Sequence, residues 1–356
     1  MTRQAALRER LATLGYDLLV VQSLPNVRYL TGFTGSSGLL VVRPQDAVLV
    51  TDYRYAAQAP REVGNAARVE IDQVSVWDRL KRVVQERPSG IGAFEAHIAT
   101  VRDRERLEGF GLPRWEATGD LVERLRTIKD PDEVDAIRSA ATLASEALAE
   151  TLPGVRPGET EFAIAARLEA ALRRRGSEWH PFPTIVASGL RAALPHARTS
   201  GRAVERGEWL LLDFGAQVDG YCADLTRTVV VGARADERQR QVYDTVRQAQ
   251  RRALDHMLPG MSGREADQLA RELIAQRGFG EAFGHSLGHG LGLEVHEAPR
   301  LSATAEAALP AGAVVTVEPG IYLPGWGGVR LEDDVHLGAA GAELLSDNAV
   351  ELLELM

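Results

Sequence analysis

A single cysteine, Cys222, in a chain of 356 residues excludes an internal disulfide, and with it the stapled scaffold of a small secreted domain; a reducing cytoplasm is the expected compartment. Lysine is nearly as scarce. Lys81 and Lys129 stand among 41 basic residues that are otherwise arginine, a bias that reads as genome composition before function. No apolar run approaches the ~18 residues of a membrane span. The one nearest the N-terminus, residues 18–21, is also too short for the apolar region of a signal peptide. A net charge of −9 argues against nucleic acid as a partner. Low-complexity tracts and tandem repeats are absent as well. What remains is a chain long enough for two domains and a large core, with 45% hydrophobic residues.

Five side chains then stand out. Asp213, Asp224, His289, Glu318 and Glu332 each lie in a short, glycine-punctuated segment that reads as strand. Four oxygen donors and one imidazole are the ligand set for a pair of hard-to-borderline divalent ions. If the five converge, two such ions neutralise the four carboxylates, which without them repel one another. Packing alone gives little reason to bury such a group, since each unpaired buried charge costs several kcal/mol.

Convergence of the first pair follows from local geometry. Residues 209–215 form an apolar strand, and residues 225–231 a second. Between them Asp219-Gly220 is a strong hairpin signal, a two-residue turn that needs positive φ. Counting outward pairs Val218 with Tyr221, Gly215 with Asp224 and Asp213 with Thr226. Asp213 and Asp224 are then diagonal neighbours with Cβ atoms about 7–8 Å apart, within reach of one metal pair spaced by about 3.5–4 Å. Cys222, inside this hairpin, reads as a small packing residue. A second hairpin, residues 313–335 turning near Gly325, sets Glu318 roughly opposite Glu332, although four glycines near its tip leave the register open. His289 falls in residues 284–297, where His285, His289 and His296 sit among small residues that admit close approach of backbone and substrate.

One Asp in a strand is ordinarily a cap or turn former, and one His beside Gly a solvated loop residue. Five in this order are another matter. Leu212-Asp213-Phe214-Gly215, Asp224-Leu225-Thr226-Arg227-Thr228, the run from Gly288-His289-Gly290 to Val295-His296-Glu297, Val317-Glu318-Pro319-Gly320-Ile321-Tyr322 and Val329-Arg330-Leu331-Glu332-Asp333 resemble the signature blocks of the pita-bread-fold metallopeptidases. That group holds methionine aminopeptidase, aminopeptidase P and prolidase, and the likeness spans roughly residues 125–356.

The resemblance implies Asp213 as terminal ligand of one metal, Asp224 and Glu332 as bridging carboxylates, and His289 and Glu318 as ligands of the second. Glu318 would also be the proton acceptor. His196, in Ala193-Leu194-Pro195-His196-Ala197, matches a catalytic position at the substrate, as do His285 and His296. Arg300 matches a position facing the substrate's carboxylate end, while Tyr322 and Arg330 resemble residues that support the ligands from behind. The implied cofactor is two divalent ions. Carboxylate-rich ligation favours Mn²⁺, and the imidazole admits Co²⁺ or Zn²⁺. Such a pair acidifies a water and polarises the carbonyl before proline, with His296 at the developing oxyanion and Glu318 passing the proton to the leaving amine. The preference for proline comes with the resemblance. Partners would be peptides with proline in the second position, without nucleic acid or membrane. A homodimer or higher homo-oligomer is implied too, with Asp52 and Arg54 of a neighbouring subunit near the site.

A boundary falls near residue 125. Asp130-Pro131-Asp132-Glu133 combines an N-cap, proline at the first helical position and an acid at the third. Val134, Ile137, Ala141, Leu143, Ala144 and Leu148 follow at helical spacing. Upstream, strands are expected at residues 18–22, 38–42 and 47–51 and helices at 3–14 and 76–86; downstream, helices at 155–172, 236–255 and 262–277. Residues 29–38 resemble the N-terminal domain of aminopeptidase P and prolidase, which typical methionine aminopeptidases lack; as a phosphate cradle this Gly/Ser/Thr stretch lacks a following lysine. The expected fold class is α+β: a smaller α/β N-terminal domain over residues 1–125 and a pita-bread catalytic domain over 126–356. The expected function is a dinuclear Xaa-Pro aminopeptidase that also accepts dipeptides. A strict Xaa-Pro dipeptidase is the second reading, and a non-enzymatic binding module of the same fold is disfavoured by the five retained ligands.

Overall fold

A computed structural model describes residues 2–87, 90–346 and 351–356. The chain divides into two compact units, Met1–Arg126 and Thr127–Met356. In the first, a six-stranded mixed sheet runs in the order Arg68–Asp72, Ala47–Asp52, Leu39–Val42, Leu18–Val21, Ile91–Glu95, Arg114–Thr118. Its two central strands, Leu-Leu-Val-Val in both cases, are buried at every position, as expected of strands covered on both faces. The helix Val76–Glu86 lays Leu80, Val83 and Val84 on the sheet. Within residues 29–38 the structure departs from a continuous loop. A helix, Leu24–Thr31, starts with proline in its first turn and ends at Gly32, whose φ of 79° closes the C-terminus.

The second unit holds two helix-covered sheets. One has the order Glu354–Leu355, Leu225–Val231, Trp209–Phe214, Ile185–Ser188. Against it pack the helices Pro131–Thr151 and Glu161–Arg174, through Ala140, Ala144, Leu148, Leu168 and Leu172 on Leu210, Leu212 and Phe214. The other has the order Glu297–Leu301, Gly288–Gly290, Val314–Val317, Asp333–Gly338, Gly341–Leu344. Helices Glu237–His256 and Gly263–Gln276 cover it with Val242, Val246, Ala249, Ala266 and Ala270.

Asp130 and Glu133 form the reciprocal cap that their spacing predicts. The helix expected from residue 155 begins only at Glu161. Pro157 and Gly158, the latter at φ 91°, make a turn, and Thr160 both bridges to Ala203 and caps the helix by accepting the Ala163 N–H.

The elements that carry the acidic side chains have well-defined registers. Val218 pairs with Tyr221 across Asp219 (φ 47°) and Gly220 (φ 73°), and Asp213 lies opposite Thr226. In the second hairpin Leu323 pairs with Gly327 and Gly320 with Arg330, so continuing outward sets Glu318 against Glu332. That fixes the register the glycines had left open. Gly288 and Gly290 flank His289 where three strands crowd together: a Cβ at Gly288 would lie 2.0 Å from the Thr316 carbonyl oxygen, and one at Gly290 2.1 Å from that of Ala298. Gly290→Ala therefore overpacks the strand and is expected to cost about 1–3 kcal/mol. Chemical denaturation checks this, and an unchanged midpoint would contradict it.

Candidate metal centre

Of the five residues, Asp213 and His289 lie within regular strands, whereas Asp224, Glu318 and Glu332 sit at strand ends. The reason is that backbone pairing changes sheet there. Thr226 of the first sheet bridges to Glu332, whose N–H donates to the Thr226 carbonyl at 3.1 Å, and the Asp224 N–H donates to the Asp334 carboxylate at 3.1 Å. Side chains from both sheets thus enter one cavity of about 780 Å³, lined by Asp213, Asp224, His289, Glu318 and Glu332 and also by His196, His285, His296, Arg300 and Arg330. Tyr322 is buried behind that wall.

Donor atoms of Asp224, His289 and Glu332 lie within 4.8 Å of one another. His289 Nε2 stands 3.5 Å from Glu318 Oε1 and 3.8 Å from Asp224 Oδ2. Its Nδ1 faces the Gly290 carbonyl at 3.0 Å. A carbonyl only accepts, so Nδ1 carries the proton and Nε2 presents its lone pair to the cavity. Burial holds the His289 pKa down to about 4, which keeps the ring neutral, the form that binds metal.

The carboxylates show the strain of gathering. Burial, reinforced by the charges of Glu332 and Asp213, raises Asp224 well above its ordinary range. Glu318 is likewise raised by burial and then by Glu332, and Glu332 is pushed up to about 8 by burial and Asp213. Asp213 is raised by burial against the opposing pull of Arg330, whose Nη2 donates to its Oδ2 at 2.5 Å. Its Oδ1 is buried and has no hydrogen-bond partner among the described residues. An orphaned carboxylate oxygen, a free imidazole lone pair, two further buried acids and the half-buried Glu318 fit divalent cations and little else.

Arg330 ties the surroundings together. Besides Asp213 it donates to the Tyr322 hydroxyl (2.7 Å), Thr226 Oγ1 (3.0 Å) and the Pro195 carbonyl beside His196 (3.3 Å). Tyr322 in turn bonds His285 Nε2 at 2.9 Å, while His285 Nδ1 donates to the Ser286 carbonyl at 2.8 Å. His296 lies beside His289, ring centroids 4.4 Å apart and planes tilted by 57°, and Arg300 lies directly across the strand pair from His289.

Three supporting residues escaped the reading of the sequence. Thr226 donates to Glu332 Oε2 at 2.6 Å while accepting from Arg330, Arg227 donates to the Glu332 carbonyl (2.6 Å) and to Asp333 (2.6 Å), and Asp334 receives the Asp224 N–H. Strand alternation held the signal. Three consecutive acids, 332–334, cannot share a face, so at least one must point away from the cavity and needs its own partner.

The M24 metallopeptidase model matches residues 135–339, more than half of the chain, and the creatinase/prolidase N-terminal domain model matches residues 3–128. The chain belongs to metallopeptidase family M24. It is 40% identical to the uncharacterized peptidase YqhT of Bacillus subtilis over 98% of both chains. Among solved structures, the Xaa-Pro dipeptidase from Bacillus anthracis superposes with a TM-score of 0.96 at 37% identity, covering 99% of each chain. The X-Pro aminopeptidase from Thermotoga maritima gives 0.92 at 37% identity, covering 99% of this chain and 100% of that one. The fold of this M24 peptidase is the pita-bread fold, and as a metallopeptidase it works with divalent metal ions.

Metal removal should expose the carboxylate repulsion as a pH effect. Carboxyls whose folded pKa is raised stabilise the fold below their unfolded values near 4 and lose that contribution as pH rises through the folded values, about 8 for Glu332. Between about pH 7 and 8.5, where the depressed histidines are neutral in both states, the chelated peptidase should lose Tm as pH rises. Saturating Mn²⁺ should abolish the decline and raise Tm throughout. Thermal melts across that window test this; a pH-independent Tm, equal with and without chelator, would refute it.

Proposed function

We propose that this M24 peptidase cleaves the bond before proline in peptides with proline in the second position, as an aminopeptidase that also accepts Xaa-Pro dipeptides. The observation that carries the reading is that one cavity unites the carboxylate and imidazole donors with His196, His285, His296 and Arg300. Two relatives of equal identity bear different names, one a dipeptidase and one an aminopeptidase, so the cavity must guide the choice. Its volume of about 780 Å³, in the upper part of the ~300–1,000 Å³ typical of small-molecule pockets, favours the reading that leaves space beyond the proline.

In this reading Asp213 would serve one ion, His289 and Glu318 the second, and Asp224 and Glu332 would be shared between them. Bound ions, Mn²⁺ favoured by the mostly carboxylate donors, would supply an acidified water and Lewis acidity at the scissile carbonyl. Glu318 would take the water's proton and return it to the proline nitrogen; its partial exposure to the cavity supports that role. His296 is kept neutral, its pKa lowered by burial and then by Arg300, and donates an N–H to the oxyanion. His285, locked by Ser286 and Tyr322, and His196 orient the substrate. Phe182, Pro183 and Pro195 on the cavity wall suit the proline ring. The same reading carries a cytoplasmic location, supported by the lone buried Cys222, and a homodimer or larger assembly in which Asp52 and Arg54 beside the exposed Tyr53 face a neighbouring subunit.

Asp224→Asn removes a bridging anion and is expected to lose bound metal, whereas His296→Ala should retain metal and lose turnover by ~10²-fold or more. Elemental analysis beside activity decides; a metal-free His296→Ala with a fully loaded Asp224→Asn would overturn the roles. Arg300→Ala should cost Xaa-Pro dipeptides roughly tenfold or more in kcat/KM, since only a dipeptide places its carboxylate there, and should affect tripeptides little. Equal losses on both substrates would make Arg300 a general contact.

A further inference from the structure

We propose that Arg198 binds the terminal carboxylate of tripeptide-length substrates, one residue beyond the carboxylate that Arg300 meets in a dipeptide. The assignment rests on the Xaa-Pro reading and adds to it a second, more distant anchor.

Arg198 is exposed and lines the same cavity as the metal ligands. Among the described residues its guanidinium makes no hydrogen bond or ion pair. Its neighbours do. Arg191 is held by Glu161, and Arg202 by Glu208 at 2.5 Å and 2.7 Å. An arginine left unpaired beside paired ones has its five donors available for an anion, and its planar fork suits a carboxylate.

The backbone beneath it is fixed. Glu161 is fully buried and accepts from Ser188 N (2.8 Å) and Oγ (2.9 Å), Arg191 Nε (3.2 Å), and Ser200 N (3.0 Å) and Oγ (2.6 Å), so one carboxylate pins both ends of residues 188–200. Arg191 also donates to the Arg198 carbonyl. Next door, Thr199 Oγ1 accepts the Val186 N–H at 2.9 Å and donates to the Thr184 carbonyl at 2.8 Å. With the main chain held, ordering of the arginine side chain is the conformational cost left for binding to meet.

Position along the substrate follows from the segments that carry the two arginines, both of which line the cavity. Arg300 pairs directly with His289 across adjacent strands and is the inner of the two. Arg198, exposed, lies three residues beyond Pro195, whose carbonyl meets Arg330, and is the outer. Each added residue extends a peptide by about 3.3–3.6 Å, which moves the carboxylate from the inner arginine toward the outer one.

The test compares Xaa-Pro-Yaa tripeptides with their C-terminal amides, on wild type, Arg198→Ala, Arg198→Lys and Arg300→Ala. Wild type should prefer the free acid, chiefly through KM. Arg198→Ala should raise KM for the acid about tenfold, bringing acid and amide level. Arg198→Lys should keep part of the preference, and Arg300→Ala should keep most of it. An acid-to-amide ratio of one in wild type, or one unchanged by Arg198→Ala, overturns the assignment while leaving the peptidase reading intact. Failure of wild type to turn over any Xaa-Pro peptide overturns that reading, and this assignment with it.

Discussion

The contact between Thr226 and Glu332 joins the two sheets of the second unit, and the geometry of the cavity depends on it. Backbone N–H to carbonyl, hydroxyl to carboxylate, and the Arg227 guanidinium to the Glu332 carbonyl make it a three-fold tie across strands that belong to different ladders. The two halves also share apolar packing, since Trp209, Leu211 and Val230 of the first sheet lie in one core with Val242, Val246 and Val315 of the second half. The polar bridge is what brings Asp213 and Asp224 against Glu318 and Glu332.

Gathering acids is costly, and the surrounding residues limit that cost. Arg330 places one cation beside Asp213 while its other donors go to Tyr322, Thr226 and Pro195, so the guanidinium cannot swing further into the site and neutralise the remaining acids. Asp333 and Asp334 are buried as well but point elsewhere, Asp333 to Arg227, Gln250 and Ser346, and Asp334 to the Asp224 N–H. The result is an excess of negative charge confined to the cavity side, which divalent cations can balance.

Rigidity differs across the site in a way that suits catalysis on peptides. Several groups on the inner wall are held by hydrogen bonds: His289 by Gly290, Glu332 by Thr226, and His285 by Ser286 and Tyr322. The exposed Arg198 and Arg300 also line the cavity, and among the described residues their guanidinium groups make no hydrogen bond, although their backbone is held. The inner donors are thus held still while the two arginines retain side-chain freedom.

Several features were determined by the sequence itself because they depend on near neighbours. Asp219-Gly220 dictates a tight turn with positive φ, and the register that sets Asp213 opposite Thr226 follows by counting. The cap at Asp130 and Glu133 and the ends of the helices near residues 237 and 263 are equally local. Family membership was legible in the motif blocks, although the histidines at 196, 285 and 296 and Arg300 stood out through resemblance and not through any spacing. Other features only the tertiary structure decided. The register of the second hairpin was ambiguous because glycines permit several loops, and pairing of Gly320 with Arg330 resolved it. The delayed start at Glu161 reflects the long-range bridge between Thr160 and Ala203. Above all, the meeting of Thr226 with Glu332, 106 positions apart, and the buried clamp of Glu161 on residues 188–200 join segments whose separation in the chain leaves no local pattern; only the packing of two sheets under their helices brings them within hydrogen-bonding distance.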